Sequence, residues 1–301
     1  MQDDLTLFLR QDMIDLSWKF VTSMLNEWEK SSVEKVHSYE AWKYKIHIAT
    51  DTDALIRTSA EIILQQLTEV LQKKNFFTVA LSGGSTPKRL YTLLSNNDSY
   101  LSQIQWDRIH FFWSDERYVP PDHRDSNYKM AKESMLSRVP VPEENIHRIK
   151  AENPDIYSVV EEYENEMRLV FQLEAGQLPQ FDCILLGMGT DGHTASLFPG
   201  TAALNEQKRL VVANWVEKLQ AHRITMTMPV LNNAELVIFL VSGEEKSEML
   251  KTVLEGERHV NFAPFPAQLI QPVHGKLLWI VDKAAASRLS SYKRRLKNGR
   301  C

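Results

Sequence analysis

From Leu5 the apolar residues Leu5, Leu9, Met13, Leu16, Phe20 and Met24 recur at steps of four, four, three, four and four. That is the spacing of one helix face, and it predicts an amphipathic helix at the start of the chain. Residues 31–40 are polar and weakly patterned, so a linker is expected there. The chain then divides into an N-terminal helical extension (residues 1–43) and a main domain (residues 44–301). From Tyr44 the pattern alternates, and elements follow in turn: residues 44–48 as strand, 53–73 as helix, 77–81 as strand and 87–94 as helix. Further β-type runs lie at residues 109–113, 181–186, 210–213, 236–241 and 277–281, with helical stretches at 127–138, 156–173, 245–254 and 283–292. Several of these strands are apolar at nearly every position, as strands covered on both faces are. The expectation is an α/β domain with a mainly parallel sheet and helices on both faces, Rossmann-like in its layering. Neither an internal repeat nor a low-complexity tract is visible.

Composition excludes several functions. The chain has 301 residues and a net charge of −4, so no global basic field draws it to nucleic acid or to an anionic membrane. Residues 1–45 carry six basic and eight acidic side chains and lack the basic face of a helix-turn-helix. The basic C-terminal residues Lys293, Arg294, Arg295, Lys297 and Arg300 read as a solvated helix end. Two cysteines, Cys183 and Cys301, cannot make a disulfide framework, and so thiol-poor a chain is expected in the cytoplasm. The opening Met1-Gln2-Asp3-Asp4 is acidic and no apolar run approaches about 18 residues, so neither a signal peptide nor a membrane span is expected.

In open α/β sheets ligands bind beyond the carboxyl ends of strands, which makes the loops after apolar runs the place to look for chemistry. The first such loop is Ser82-Gly83-Gly84-Ser85-Thr86-Pro87, where glycines admit a ligand to the backbone and a following helix N-terminus favours phosphate. A tight turn with a hydroxyl cap would look the same. The second, Ser114-Asp115-Glu116-Arg117, puts three charges at the end of an apolar strand. Arg117 offers a planar donor fork for an oxyanion or phosphate, unless the loop is merely salt-bridged, and Ser126 reads as an N-cap. The third, Gly187-Met188-Gly189-Thr190-Asp191-Gly192-His193, delivers a carboxylate and an imidazole two residues apart. Neutral imidazole is the usual general base near pH 7, and Asp191 is placed to orient it.

With no Gly-x-Ser-x-Gly elbow, and with Cys183 inside a strand, water is the expected nucleophile. No His or Cys spacing completes a set of metal ligands, so no metal is expected. Arg223, at the start of a strand, and Lys246, opening a helix where the dipole disfavours a cation, are further candidates for an anionic ligand, although either alone could be a surface cation.

Five segments, LSGGSTPKRLY (81–91), FFWSDERYVPPDHRDSNY (111–128), FDCILLGMGTDGHTASLFPG (181–200), HRITMTMPVLNNAELVIFLVSGEEK (222–246) and HGKLLWIVDKAA (274–285), occur in an order and at separations that together resemble the 6-phosphogluconolactonase family. The relatives that deaminate or isomerise glucosamine 6-phosphate share the glycine loop, the Asp-Glu pair and the Asp-Gly-His core. In the deaminases a Tyr typically follows the Asp-Glu pair and an Asn-Glu-Pro follows the His loop. Here Arg117 and Ala195-Ser196-Leu197-Phe198-Pro199 stand there instead, as in the lactonases. The resemblance implies hydrolysis of 6-phosphoglucono-1,5-lactone to 6-phosphogluconate without metal or organic cofactor. His193 and Asp191 would be catalytic, and Gly83, Gly84, Ser85, Thr86, Asp115, Arg117, Arg223 and Lys246 would bind substrate. The expected partner is a small phosphosugar lactone, with a monomer compatible with everything read so far. The residues before Tyr44 and Met228 before Pro229 depart from the family pattern. A phosphosugar deaminase or isomerase, and a non-enzymatic phosphosugar sensor, are the competing readings. A neutral His193 base predicts turnover rising with pH through about 6.5, unless neighbours shift it.

Overall fold

The computed structural model describes residues 44–256 and 264–290. The expected N-terminal helix, the linker, the basic tail and Cys301 lie outside them, as does the end of the helix expected over residues 283–292. Within the described residues that last helix spans only Lys283–Ala286.

Six parallel strands form the main sheet: β1 (Tyr44–Ala49), β2 (Phe77–Leu81), β3 (Ile109–Trp113), β5 (Cys183–Leu186), β8 (Leu236–Val241) and β9 (Lys276–Asp282), in the order β1-β9-β8-β5-β2-β3. Every residue of β2, β5 and β8 is buried, whereas β1 at the edge alternates. This is how a sheet covered on both faces differs from its margin. Across the β8–β9 pair, Phe239 and Trp279 are register partners and their rings stack at 3.8 Å.

The helices of eight residues or more are α1 (Thr52–Leu71), α2 (Ser85–Asn96), α3 (Asn127–Ser134), α4 (Ile156–Val170) and α5 (Ser247–Glu255). Helix α1 begins where the Asp51 carboxylate accepts the Ala54 N–H at 2.8 Å, and it buries Leu55, Ile56, Ser59, Ala60, Ile63, Leu67 and Val70 along one stripe. Helix α3 is shorter than its pattern suggests. It stops at Ser134 because Met135 leaves helical backbone (φ −146°), and residues Leu136–Arg138 form a separate 3₁₀ turn.

A second sheet departs from the sequence reading. Strands β4 (Asp115–Arg117), β6 (Val211–Val216) and β7 (Ala221–Met226) form an antiparallel sheet in the order β4-β7-β6. The run at 210–213, read among the strands of the parallel sheet, belongs to β6. The chain passes between sheets at Ser114, whose N–H donates to Leu81 O and whose carbonyl accepts the Met226 N–H at 2.8 Å. Two buried tyrosines fix the strand ends that lead to the site. The Tyr91 hydroxyl accepts the Ser82 N–H and donates to the Ser82 carbonyl, and Tyr163 does the same at Trp113. Burial raises both phenol pKa values, so both hydroxyls stay donors. Among the described residues no helix is long and apolar enough to cross a membrane.

Candidate active site

Strands β3, β2, β5 and β8 are neighbours in the sheet, and their C-terminal loops meet around a cleft of about 320 Å³. The chain runs from β2 to β3 on one side while β5 lies on the other, so the cleft opens where strand order reverses. Gly83, Gly84, Ser85 and Thr86 after β2, Asp115 and Arg117 in β4, His193 after β5 and Lys246 after β8 all line it. Asp191 and Arg223 do not. Asp191 sits against the His193 ring, and Arg223 sits opposite Arg117 in the β4–β7 register.

Helix α2 starts at Gly84 (φ 110°), and no side chain caps its first turn, which leaves the leading N–H groups without a side-chain acceptor at the cleft. That is the arrangement that attracts phosphate. In β4, Glu116 turns away from the cleft and is only 2% exposed. Its carboxylate accepts the N–H groups of Arg117, Asn127 and Tyr128 at 2.8, 2.7 and 2.8 Å and the Ser126 hydroxyl at 3.1 Å, closing the loop that carries Arg117. Burial pushes its pKa up, and the three N–H bonds oppose that shift. Ser126 also caps α3 as read from the sequence, accepting the Lys129 N–H. Asp115, buried, accepts the Ser196 hydroxyl at 2.6 Å. Arg117 donates to the Asp125 carbonyl. Like-charged residues opposite one another across a strand pair repel. Burial, and then the neighbouring Arg117, lower the Arg223 pKa from the usual guanidinium value. The pair therefore gains from an anion placed against it.

His193 Nδ1 lies 2.5 Å from Asp191 Oδ1, which also accepts the His193 backbone N–H at 3.2 Å. A carboxylate can only accept here, so Nδ1 carries the proton and Nε2 keeps its lone pair. The Phe198 ring stacks on the imidazole at 4.1 Å. Gly189 is needed because a Cβ there would lie 2.1 Å from His193 Nδ1, and Gly192 adopts φ +76° with Phe265 packed where a side chain would stand. Burial pushes the imidazole pKa down to about 4, Lys246, Arg117 and Arg223 act in the same direction, and Asp115 opposes them. His193 is therefore neutral near pH 7. Cys183 opens β5 fully buried, and burial raises its thiol pKa far out of nucleophilic range. Among the described residues no group of three or more His, Cys, Asp or Glu could hold a metal ion.

Two site residues escaped the sequence. Asn127, read only as a helix start, lines the cleft and donates from Nδ2 to the Asp115 carbonyl. Its place in the second motif was the available signal. Lys218, which forms an ion pair with Asp191 Oδ2, lies in a hairpin with no motif of its own.

The family described as glucosamine-6-phosphate isomerases/6-phosphogluconolactonase matches residues 50–279, and the chain belongs to it. Its relatives place it with the lactone-hydrolysing enzymes of that family. A 6-phosphogluconolactonase of Nostoc sp. is 42% identical over 256 residues, covering 82% of this chain and 99% of that protein. One from Synechocystis sp. is 40% identical over 245 residues, covering 81% and 98%. The crystal structure of 6-phosphogluconolactonase from Thermotoga maritima superposes with a TM-score of 0.68 at 33% identity, covering 80% of this chain and all of the other.

Proposed function

We propose that the chain hydrolyses 6-phosphoglucono-1,5-lactone to 6-phosphogluconate, the second step of the oxidative pentose phosphate pathway, with a water molecule activated by His193. The observation that carries the reading is the His193 imidazole on the cleft wall, its Nδ1 occupied by Asp191 and its Nε2 left to accept. Nε2 removes a proton from water as its oxygen attacks the lactone carbonyl. The tetrahedral oxyanion then collapses, the bond to the ring oxygen breaks, and the imidazolium returns the proton to that departing oxygen. General base catalysis of this kind contributes about 10²–10⁴ in rate.

The substrate makes two anionic demands, a phosphate and a transient oxyanion. The first-turn N–H groups of α2, Arg117 with Arg223 beside it, and Lys246 are the donors that meet them. Arg117→Ala and Lys246→Ala are each expected to lower kcat/KM about 10- to 100-fold. Loss through KM marks the residue on phosphate and loss through kcat the one on the oxyanion. A cytoplasmic site of action and a phosphosugar lactone as small-molecule partner go with this reading.

The decisive experiment is acid release from freshly generated lactone, corrected for spontaneous hydrolysis. A rate well above the blank supports the proposal. No such rate, together with ammonia release from glucosamine 6-phosphate, overturns it in favour of a deaminase, and binding without turnover favours a sensor. The same assay reads the base. Because only neutral His193 accepts a proton and burial holds its pKa near about 4, kcat/KM is expected to be level between about pH 6 and 8 and to fall only on approaching pH 4. An acid limb centred at 6.5 would contradict a buried base.

A further inference from the structure

Asp191 has a second partner. Its Oδ1 meets His193 Nδ1, while its Oδ2 forms an ion pair with Lys218 Nζ. The same ammonium lies 4.7 Å from the centroid of the Phe198 ring, and Phe198 stacks on the His193 imidazole. Lys218 therefore meets both groups that hold the imidazole in place, Asp191 at its edge and Phe198 at its face.

We propose that Lys218 is a positioning residue for His193: it holds Asp191 aimed at Nδ1, and so fixes the tautomer and orientation that leave Nε2 as the accepting nitrogen.

The hairpin carrying Lys218 is built to present it. Between β6 and β7 the turn Glu217–Leu219 ends at Gln220, a non-glycine residue in the left-handed region (φ 47°). Such a conformation persists only where surrounding bonds hold it. Here the Gln220 backbone N–H and Nε2 both donate to the Glu217 carbonyl, and Trp215 Nε1 donates to the Glu217 carboxylate at 2.7 Å. The charges around His193 are Asp115 and Arg117 from β4, Arg223 from β7, Lys246 from the loop after β8, and Asp191 from its own loop. Lys218 is the cation paired with the carboxylate on Nδ1. An unpaired carboxylate there would stabilise the imidazolium more strongly, so removing the ammonium should make His193 a stronger base that is protonated at higher pH.

This inference rests on His193 as the general base, and the test separates the two. The His193 ring is titrated by ¹⁵N NMR in the full chain, beside the pH profile of lactone hydrolysis, for wild type, Lys218→Met, Lys218→Arg, Asp191→Asn and the Lys218→Met/Asp191→Asn double variant. Lys218→Met is expected to raise the His193 pKa by about one unit and to carry the acid limb of kcat/KM up with it. Its kcat should fall about tenfold with KM little changed, and Lys218→Arg should restore most of both. In the Asp191→Asn background the shift caused by Lys218→Met should disappear. An unmoved His193 titration, or an equal shift with Asp191 already neutral, overturns the inference. The ring titration needs no turnover, so it still reads the link if His193→Ala proves active and the base assignment itself falls.

Discussion

Replacing His193 by alanine is expected to lower kcat for lactone hydrolysis by about 10²–10⁴ while leaving KM within a few-fold of wild type. The reasoning is geometric. The imidazole is held at its edge by Asp191 and at its face by Phe198, with a glycine at position 189 because nothing larger fits beside the ring. Such constraint serves a group whose position matters to the reaction and is wasted on one that merely fills space. Truncation removes the proton acceptor and leaves the cations of the cleft in place, so binding should survive. Stopped-flow or pH-stat rates on folded protein, with circular dichroism as the control for folding, read the effect. A variant that keeps kcat within about threefold would exclude His193 as the base, since such a change is far below the general-base contribution.

Glu116→Ala is expected to be the most damaging substitution to stability, by about 2–4 kcal/mol. Three backbone N–H groups and one hydroxyl converge on that carboxylate in a region shut off from solvent. Each buried donor left unpaired costs about 1–3 kcal/mol, and relief from burying a charge offsets part of the sum. Glu116→Gln should cost less, because its amide oxygen still accepts two of the four bonds. Urea denaturation with an unchanged m-value measures both. Because the same carboxylate closes the loop under Arg117, the alanine variant should also bind substrate more weakly. A loss under about 1 kcal/mol would mean that the loop finds other acceptors.

Where an element's own residues decided its conformation, its pattern announced it. The bounds of β2, β3 and β8 coincide with their apolar runs because every position but His110 is buried and each run is followed by a serine. Strand β4 was illegible because it is three charged residues long and exists only through pairing with β7, more than a hundred positions later. The helix read from residue 245 starts at Ser247, after a 3₁₀ turn over Glu244–Lys246 that still places Lys246 on the cleft. The main residues of the candidate site lay in loops whose composition was odd for their position, such as a cation at a helix start or an imidazole beside glycines. Lys218 has no such oddity. On the sequence it is an ordinary hairpin lysine, and only the folding of that hairpin toward the Asp191 loop gives it a partner.

The four loops of the cleft hang from four adjacent strands whose registers are set by the apolar core between sheet and helices. Each loop is thus a replaceable fitting on a common frame. Exchanging the segment after one strand alters which groups face the ligand without renegotiating how the sheet folds. One architecture can in this way carry both isomerases and lactonases, the catalytic repertoire diverging at the rim while the scaffold stays constant.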